Sequence, residues 1–267
     1  MEHKNEHSVV FTTEEVKATL DNLKTQHRMR CLTDEQVQAG FSFDFSAEGD
    51  AAIFLKVVDD EVIDDLLVDC PFGKDGDRLW VQEEWRIGAW NHDTQRFAID
   101  YKASPELTNT PWLRTSEDDL VNQECFYKFW SETVDELNKK GFKTYEDGHY
   151  YWPAGQAPLE WRSADSMPRW ASRLLLETTD IHIERVQDIS EDDALASGLL
   201  IQNCKYGSQY FLNPASRMPT NVFHRDEWRS AFSVYWDSIH SKDAWRRNDW
   251  VWVDKFKKVE PSEVQGG

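Results

Sequence analysis

The segment Trp250-Val251-Trp252-Val253-Asp254-Lys255-Phe256 has the alternation and the aromatic and β-branched composition of a β-strand. Upstream of it, the range from Phe223 to His240 predicts a helix. Its large apolar side chains recur with the 3.6-residue period of a core-facing stripe: Trp228, Phe232, Tyr235, Trp236 and Ile239. A polar tail follows the strand at residues 260–267.

Further strands and helices are predicted along the rest of the chain, and the mixture indicates an α+β protein. Helices are expected at Thr12–Leu23 and after a serine cap at Ser190, the latter ending at Gly198. Strands are expected at Phe41–Phe45 and Ala51–Val58 as a hairpin, at Phe97–Lys102, and at Leu174–Glu184 as one long strand or two shorter ones, with an exposed hairpin or loop over Asp59–Asp69.

The composition narrows the class of protein. The chain has 267 residues, of which 40% are hydrophobic, so it can bury a core as one large domain or two small ones. A mean hydropathy of -0.70 argues against a membrane protein, and the polar N-terminus suggests no export. We therefore expect a cytoplasmic protein with no membrane partner. The isolated cysteines Cys31, Cys70, Cys125 and Cys204 predict reduced thiols rather than disulfides, and their spacing predicts no metal and no cofactor.

Charge is distributed unevenly over the chain. The formal net charge is -19, and Asp44–Asp77 holds eleven carboxylates against Lys56 and Lys74. In contrast, Lys24–Arg30 and Trp161–Arg173 are net basic. This pattern predicts a small basic pocket in an acidic envelope, suited to a nucleotide, a nucleoside or a short single strand rather than a long duplex. A solvated acidic surface that only keeps the protein soluble is the simpler interpretation of the acids.

The segment Trp161–Arg173 combines arginines with tryptophans around a Met-Pro step that interrupts regular structure. An arginine can stack on an aromatic ring and still donate to a phosphate or a base edge, so the segment is a candidate binding element. An amphipathic wall, with tryptophans in the core and arginines in solvent, is the alternative.

Six strings occur in one order: LKTQHR, CPFGKDGDRLWVQEEW, DYKA, MPRWASR, ERVQDISEDDALASG and NDWVWVDKF. With them the chain resembles phage- and prophage-borne proteins of the ASCH family, which are similar to RNA-binding PUA domains. The resemblance implies a PUA-like mixed β-barrel with flanking α-helices. It also implies a single domain over residues 12–259, after a polar tail at 1–11, with acidic insertions near 44–70 and 113–150. A bacterial host cell is the implied location.

Small bacterial ASCH proteins resemble N4-acetylcytidine amidohydrolases that use a lysine, a threonine and a glutamate. The lysine corresponds to Lys24, but His27 stands at the threonine position and Ser197 at the glutamate position, and Asn22 replaces the usual glycine. These departures weigh against hydrolysis. Alternation from Leu79 to Glu84 predicts that one of Glu83 and Glu84 faces inward. Glu83 or Glu84 remains as a carboxylate that could pair with Lys24 in proton transfer.

The leading hypothesis is a protein that binds a nucleotide, a modified nucleoside or short single-stranded nucleic acid. Its predicted pocket is walled by Lys24, His27, Arg28, Trp85, Arg169 and Trp170. The first alternative is an enzyme, an amidohydrolase or ribonuclease, with Lys24, Glu83 and Glu84 as the catalytic candidates. The second is an acidic interaction protein whose partner is a host protein.

Overall fold

The computed structural model describes residues 5–47, 51–104, 111–203, 209–212, 222–224 and 228–259. The chain forms two compact units. The first comprises Met1–Val9, Ala18–Trp80 and Leu174–Gly267, and the second comprises Val10–Lys17 and Val81–Arg173. None of the helices within the described ranges is both long and apolar enough to span a bilayer.

The secondary structure is mixed, which confirms the α+β class. The strands are β1 (Glu6–Val10), β2 (Gln26–Arg30), β3 (Phe41–Ala47), β4 (Ala51–Val58), β5 (Glu61–Asp69), β6 (Arg78–Gln82), β7 (Trp85–Asn91), β8 (Arg96–Tyr101), β9 (Leu175–Arg185), β10 (Leu200–Asn203), β11 (Gln209–Leu212), β12 (Val222–His224) and β13 (Trp250–Lys258). The α-helices are α1 (Thr13–Leu20), α2 (Asp34–Gln38), α3 (Asp119–Lys139), α4 (Glu191–Ala196), α5 (Trp228–Ile239) and α6 (Ala244–Arg247). Short 3-10 helices lie at Ala164–Ser166, Arg169–Ala171 and Val186–Asp188.

The main sheet of the first unit has five strands in the order β1-β6-β9-β13-β2. β13 pairs antiparallel with β9 on one side and β2 on the other, so the predicted C-terminal strand lies inside the sheet. Val251 and Val253 belong to one buried cluster with Phe232 and Trp236 of α5. The aromatic stripe predicted for this helix is therefore a core stripe, as its period indicated.

The predicted hairpin between Phe41–Phe45 and Ala51–Val58 is confirmed, with Phe43 opposite Phe54. The range Asp59–Asp69, expected as an exposed hairpin or loop, contains the turn and the second strand, β5, of a hairpin with β4. Most of β5 is exposed, and its four acidic residues are compatible with that exposure.

The helix expected from Phe223 begins at Trp228, since Phe223 lies in β12 and pairs with Phe211 of β11. The segment from Glu6 to Val10, expected as part of a polar tail, forms β1. Cys204 and residues 260–267 lie outside the described residues. The described strands pair as four open sheets, none of which closes on itself.

The second unit is built around the β7–β8 hairpin and the long helix α3. The Asp118 side chain accepts a hydrogen bond from the Val121 amide at 3.0 Å and caps the helix. The core of this unit is strongly aromatic, with Trp85, Phe97 and Phe126 fully buried. The polar helical region expected between residues 113 and 150 is thus packed through one apolar face.

Candidate functional site

Lys24 is held by the turn that ends α1. The amides of Leu23 and Lys24 both donate to the carbonyl of Ala18, at 2.8 and 3.1 Å, while Asn22 adopts a left-handed conformation with φ of 58°. Asparagine tolerates this conformation better than most residues. The turn directs the Lys24 side chain into the first unit, where only 2% of the residue is exposed.

The buried ammonium of Lys24 donates to two backbone carbonyls. Its Nζ lies 2.8 Å from the oxygen of Gln26 and 3.2 Å from the oxygen of Ser197. The backbones of Lys24 and Ser197 also form an antiparallel bridge. Gly198 has a φ of 98°, and a Cβ there would lie 3.5 Å from the Lys24 Cβ. That distance is an ordinary van der Waals contact, so the left-handed φ, rather than the approach to the lysine, is the reason for glycine at this position.

Arg28 on β2 is the second buried cation of this cluster. Its Nε and Nη2 donate to Glu184 Oε1 at 3.1 and 3.0 Å, and its Nη1 donates to Gln26 Oε1 at 3.1 Å and to Ser197 Oγ at 2.5 Å. Burial lowers the pKa of Arg28, and the charge and hydrogen bonds of Glu184 oppose that shift. An arginine stays protonated under these conditions, so the cluster holds a permanent positive charge.

Asp193 joins the same network through Gln26, whose Nε2 donates to Asp193 Oδ1 at 2.6 Å. Partial burial acts to raise the pKa of Asp193, but the hydrogen bonds from Ser190 and Gln26 and the charge of Arg28 outweigh it and lower the pKa. Asp193 is therefore an anionic acceptor at neutral pH.

Asp254 is the most deeply buried carboxyl of the first unit, with no exposed surface. It lies on β13 opposite His27 of β2, and neither of its oxygens has a hydrogen-bond partner of normal geometry in the described chain. Burial raises its pKa to about 7, although the neighbouring Thr178 hydroxyl and the Lys24 charge act to lower it. A carboxyl with this pKa is partly protonated at neutral pH.

His27 is also buried and meets Phe72 edge to face, with ring centroids 5.8 Å apart. Lys24, His27 and Arg28 thus belong to one interior region of the first unit. Because His27 and Arg28 are consecutive on β2, however, their side chains lie on opposite faces of that strand. Lys24 and Arg28 both contact Ser197, and the Lys24 contact joins two of the three positions indicated by the amidohydrolase resemblance.

The other predicted pocket residues belong to the second unit, where they pack an aromatic core. Trp85 has no exposed surface, and its Nε1 donates to Ser166 Oγ at 3.2 Å. Trp170 is partly buried, meets Trp85 edge to face at 6.2 Å and stacks on Phe97 at 5.8 Å. Arg169 is half-buried in the 3-10 helix that carries Trp170. These rings are engaged with one another, as the amphipathic-wall alternative for this segment describes.

The two glutamates considered for catalysis form ion pairs within the second unit. Glu83 is almost fully buried and accepts two hydrogen bonds from Arg173, at 2.8 and 2.9 Å. Glu84 pairs with Lys102 and accepts a hydrogen bond from Thr13. The expectation that one of the two faces inward is confirmed for Glu83. The carboxyl whose pKa responds to Lys24 is instead Asp254 of the first unit.

Sequence reasoning missed four polar residues of this region: Gln26, Glu184 and Asp193, which are hydrogen-bonded to Arg28 or to one another, and Asp254, whose pKa the Lys24 charge acts to lower. All four lie inside the quoted strings. The signal for Asp254 was a single carboxylate within an otherwise apolar and aromatic strand, a pattern that calls for a specific partner or a shifted pKa. No comparable signal marks Glu184, whose strand places it beside Arg28 only through pairing with β13 and β2.

Comparisons of the chain with protein-family models, with curated proteins and with solved structures find no match. Among the described residues, no three His, Cys, Asp or Glu side chains are grouped in a way that could hold a metal ion. The functional conclusion therefore depends on the chemistry of the site.

Proposed function

We propose that this chain is an ASCH-type, PUA-like protein that binds a nucleotide, a modified nucleoside or a short single strand. The polar end of its site would be the cluster formed by Lys24, Gln26, Arg28, Asp193 and Ser197. The observation that carries the proposal is the contact of Lys24 and Arg28 with Ser197, because these residues come from two separate strings of the resemblance.

The chemistry of this cluster suits a base edge or a phosphate. Lys24 and Arg28 supply cationic donors, Ser197 a hydroxyl, and Gln26 and Asp193 an amide and an acceptor. Without ligand these groups bond to one another, so a ligand has to replace hydrogen bonds of comparable quality. A ligand that lacks the matching donors and acceptors would leave buried groups unpaired, and this cost gives selectivity.

Binding is tested by calorimetric titration of the full chain with cytidine, N4-acetylcytidine, CMP and an oligothymidine of about eight nucleotides. We expect at least one to bind and Lys24→Met to weaken that binding about ten-fold or more, because a charge-assisted hydrogen bond is lost. Ser197→Ala should weaken binding as well, because the hydroxyl of the cluster is lost, and Ser230→Ala, which changes an exposed serine on α5, is its matched control. The absence of binding to all four ligands, or equal binding by Lys24→Met in a folded protein, would refute the proposal.

One observation favours an amidohydrolase as a second candidate: Asp254 has a pKa of about 7 and responds to the Lys24 charge. This pair could move the proton needed when water cleaves an N-acyl bond, with N4-acetylcytidine and water giving cytidine and acetate. The departures at His27 and Ser197 predict slow conversion or none. A chromatographic assay showing rapid conversion that is lost in both Lys24→Met and Asp254→Asn would make the enzyme the leading function.

A further inference from the structure

A groove with aromatic walls lies on the surface of the second unit, far in sequence from the Lys24 cluster. Two adjoining cavities of about 200 and 260 Å³ form it, and they share Tyr150, Tyr151 and Trp152. Six aromatic side chains line this aromatic groove: Trp90, Phe142, Tyr145, Tyr150, Tyr151 and Trp152. Tyr145 and Tyr151 are 62% and 60% exposed, so two large aromatic rings of the groove present most of their surface to solvent. Exposed aromatic rings that are grouped in this way are typical of binding surfaces.

The rings of the aromatic groove stand at steep angles to each other. Tyr145 and Tyr151 meet at 75° with centroids 5.3 Å apart, and Trp90 meets Tyr150 at 62° and 6.0 Å. At these centroid distances the two rings of each pair touch, so each pair forms a corner between the face of one ring and the edge of the other rather than one flat platform. A planar base stacks best on a flat ring face, whereas a compact, puckered ring such as that of proline packs into such a corner.

The walls of the groove are held in place before any ligand arrives. Tyr151 donates its hydroxyl to Asp147 at 2.6 Å, Tyr150 donates to Asn138 at 3.2 Å, and Trp152 Nε1 donates to the Gly88 carbonyl at 2.6 Å. Because these rings are already ordered, binding of a ligand against them costs little side-chain entropy.

Two hydrogen-bond donors of the groove remain available. Within the described part of the chain, neither the indole N–H of Trp90 nor the hydroxyl of Tyr145 has a hydrogen-bond partner. A polyproline II segment has no internal hydrogen bonds, so its carbonyls are free to accept from such donors. Aromatic side chains with free donors therefore match the surface that a proline-rich peptide presents.

The charges favour a basic peptide over a phosphate-bearing ligand. Lys143 is the only lysine or arginine among the described lining residues, so a nucleic-acid backbone would meet few cations there. Glu146 and Asp147 lie in the same loop, and the formal net charge of the whole chain is -19. Arginine or lysine residues next to the prolines would be attracted to this environment.

We propose that the aromatic groove binds a proline-rich segment of a partner protein in the polyproline II conformation, with basic residues flanking the prolines. The partner packs its proline rings into the corners that the inclined aromatic rings form and places its carbonyls on Trp90 and Tyr145. This site is independent of the nucleotide site proposed above.

The test mixes the full chain with a fluorescently labelled peptide of about ten prolines that has two arginines at each end. Fluorescence anisotropy of the peptide measures its binding. We expect saturable binding that Tyr151→Ala weakens about ten-fold or more. Tyr127→Ala, an exposed tyrosine on α3 of the same unit outside the groove, should bind like wild type. Lys24→Met should also bind like wild type, which separates this site from the nucleotide site.

A peptide with the same arginines but a glycine-serine centre tests for attraction by charge alone, and equal binding of that peptide would overturn the proposal. Failure of the proline peptide to saturate, or equal weakening by Tyr151→Ala and Tyr127→Ala, would do the same. Competition by an oligothymidine or by maltohexaose that depends on Tyr151 would assign the groove to bases or sugars instead. Near-ultraviolet circular dichroism of each variant confirms that the fold is intact.

Discussion

At the scale of single residues, the first unit is characterised by charged groups that have been withdrawn from water. Lys24, Arg28 and Asp254 are all buried. Lys24 donates to backbone carbonyls, Arg28 pairs with the Glu184 carboxylate, and the pKa of Asp254 is raised, which favours its neutral form. An isolated buried charge is very costly, so each of these solutions is required for folding whatever the ligand. They are also the conditions under which side chains acquire unusual proton affinities.

Asp254→Asn is expected to reduce the pH dependence of stability. The folded-state pKa of about 7 lies above the ordinary value of 3.8, so this carboxyl favours folding fully below about pH 4, and that contribution is lost as the pH rises to about 7. Relative to wild type, the variant should gain up to about 4 kcal/mol in free energy of unfolding between about pH 4 and pH 8. Urea unfolding at both pH values measures this gain. Asp64→Asn, an exposed acid on β5, is the control, and an equal response of both variants would contradict the expectation.

Two adjacent glutamates of the second unit offer a matched comparison. Glu83→Gln should lower the free energy of unfolding by about 3 kcal/mol, because it leaves Arg173 largely buried without its carboxylate. Glu84→Gln should cost about 1 kcal/mol or less, because the pair with Lys102 is partly exposed. Chemical denaturation of both variants decides the point. If Glu84→Gln is the more damaging change, the assignment of the buried ion pair is wrong.

At the scale of elements, the 3-10 helix Arg169–Ala171 shows how a binding motif and a packing motif can look alike in sequence. Its tryptophan stacks on Phe97 and meets Phe129 edge to face at 5.5 Å. The Met-Pro step does interrupt regular structure, as predicted, but the interruption directs Met167 and Ala171 into the aromatic core. An irregular backbone conformation alone therefore does not distinguish a segment that binds a ligand from one that packs on the hydrophobic core.

Trp170→Ala is expected to act mainly on stability. It removes a partly buried ring from the aromatic core and should lower the free energy of unfolding by about 3 kcal/mol. Trp236→Ala, in the stripe of α5, should cost at least as much because that ring is fully buried. Thermal unfolding followed by circular dichroism tests both variants. Unchanged stability in Trp170→Ala, together with lost nucleotide binding, would restore Trp170 as a ligand-stacking residue.

At the scale of the whole molecule, charge limits what the protein can bind. The formal net charge is -19, and part of the negative charge is displayed on β5, an exposed strand rich in acidic residues. Affinity for a long duplex depends on cations that neutralise many phosphates, and the cations of the Lys24 cluster are buried and already paired. A ligand that reaches such a cluster has to be small.

We therefore expect no measurable binding to a duplex of about 40 base pairs at about 0.15 M salt. An electrophoretic mobility shift assay measures this, with a positively charged DNA-binding protein to show that the assay detects binding. A shift that weakens steeply with salt would reveal a basic surface that the charge distribution does not suggest.

Local periodicity and helix caps, which act over a few residues, were sufficient to predict the mixed class, the C-terminal strand, the α5 stripe, the capped helix before Gly198 and the inward glutamate. The sequence also brought attention to Lys24 and Ser197. Pairing of β13 with β9 and β2 brings Glu184 to Arg28, more than 150 positions away, and sets Asp254 opposite His27, which no local pattern predicts. The tertiary structure also decided that Trp85 and Trp170 pack a core, because solvent exposure of an aromatic ring is a property of packing and cannot be derived from local pattern.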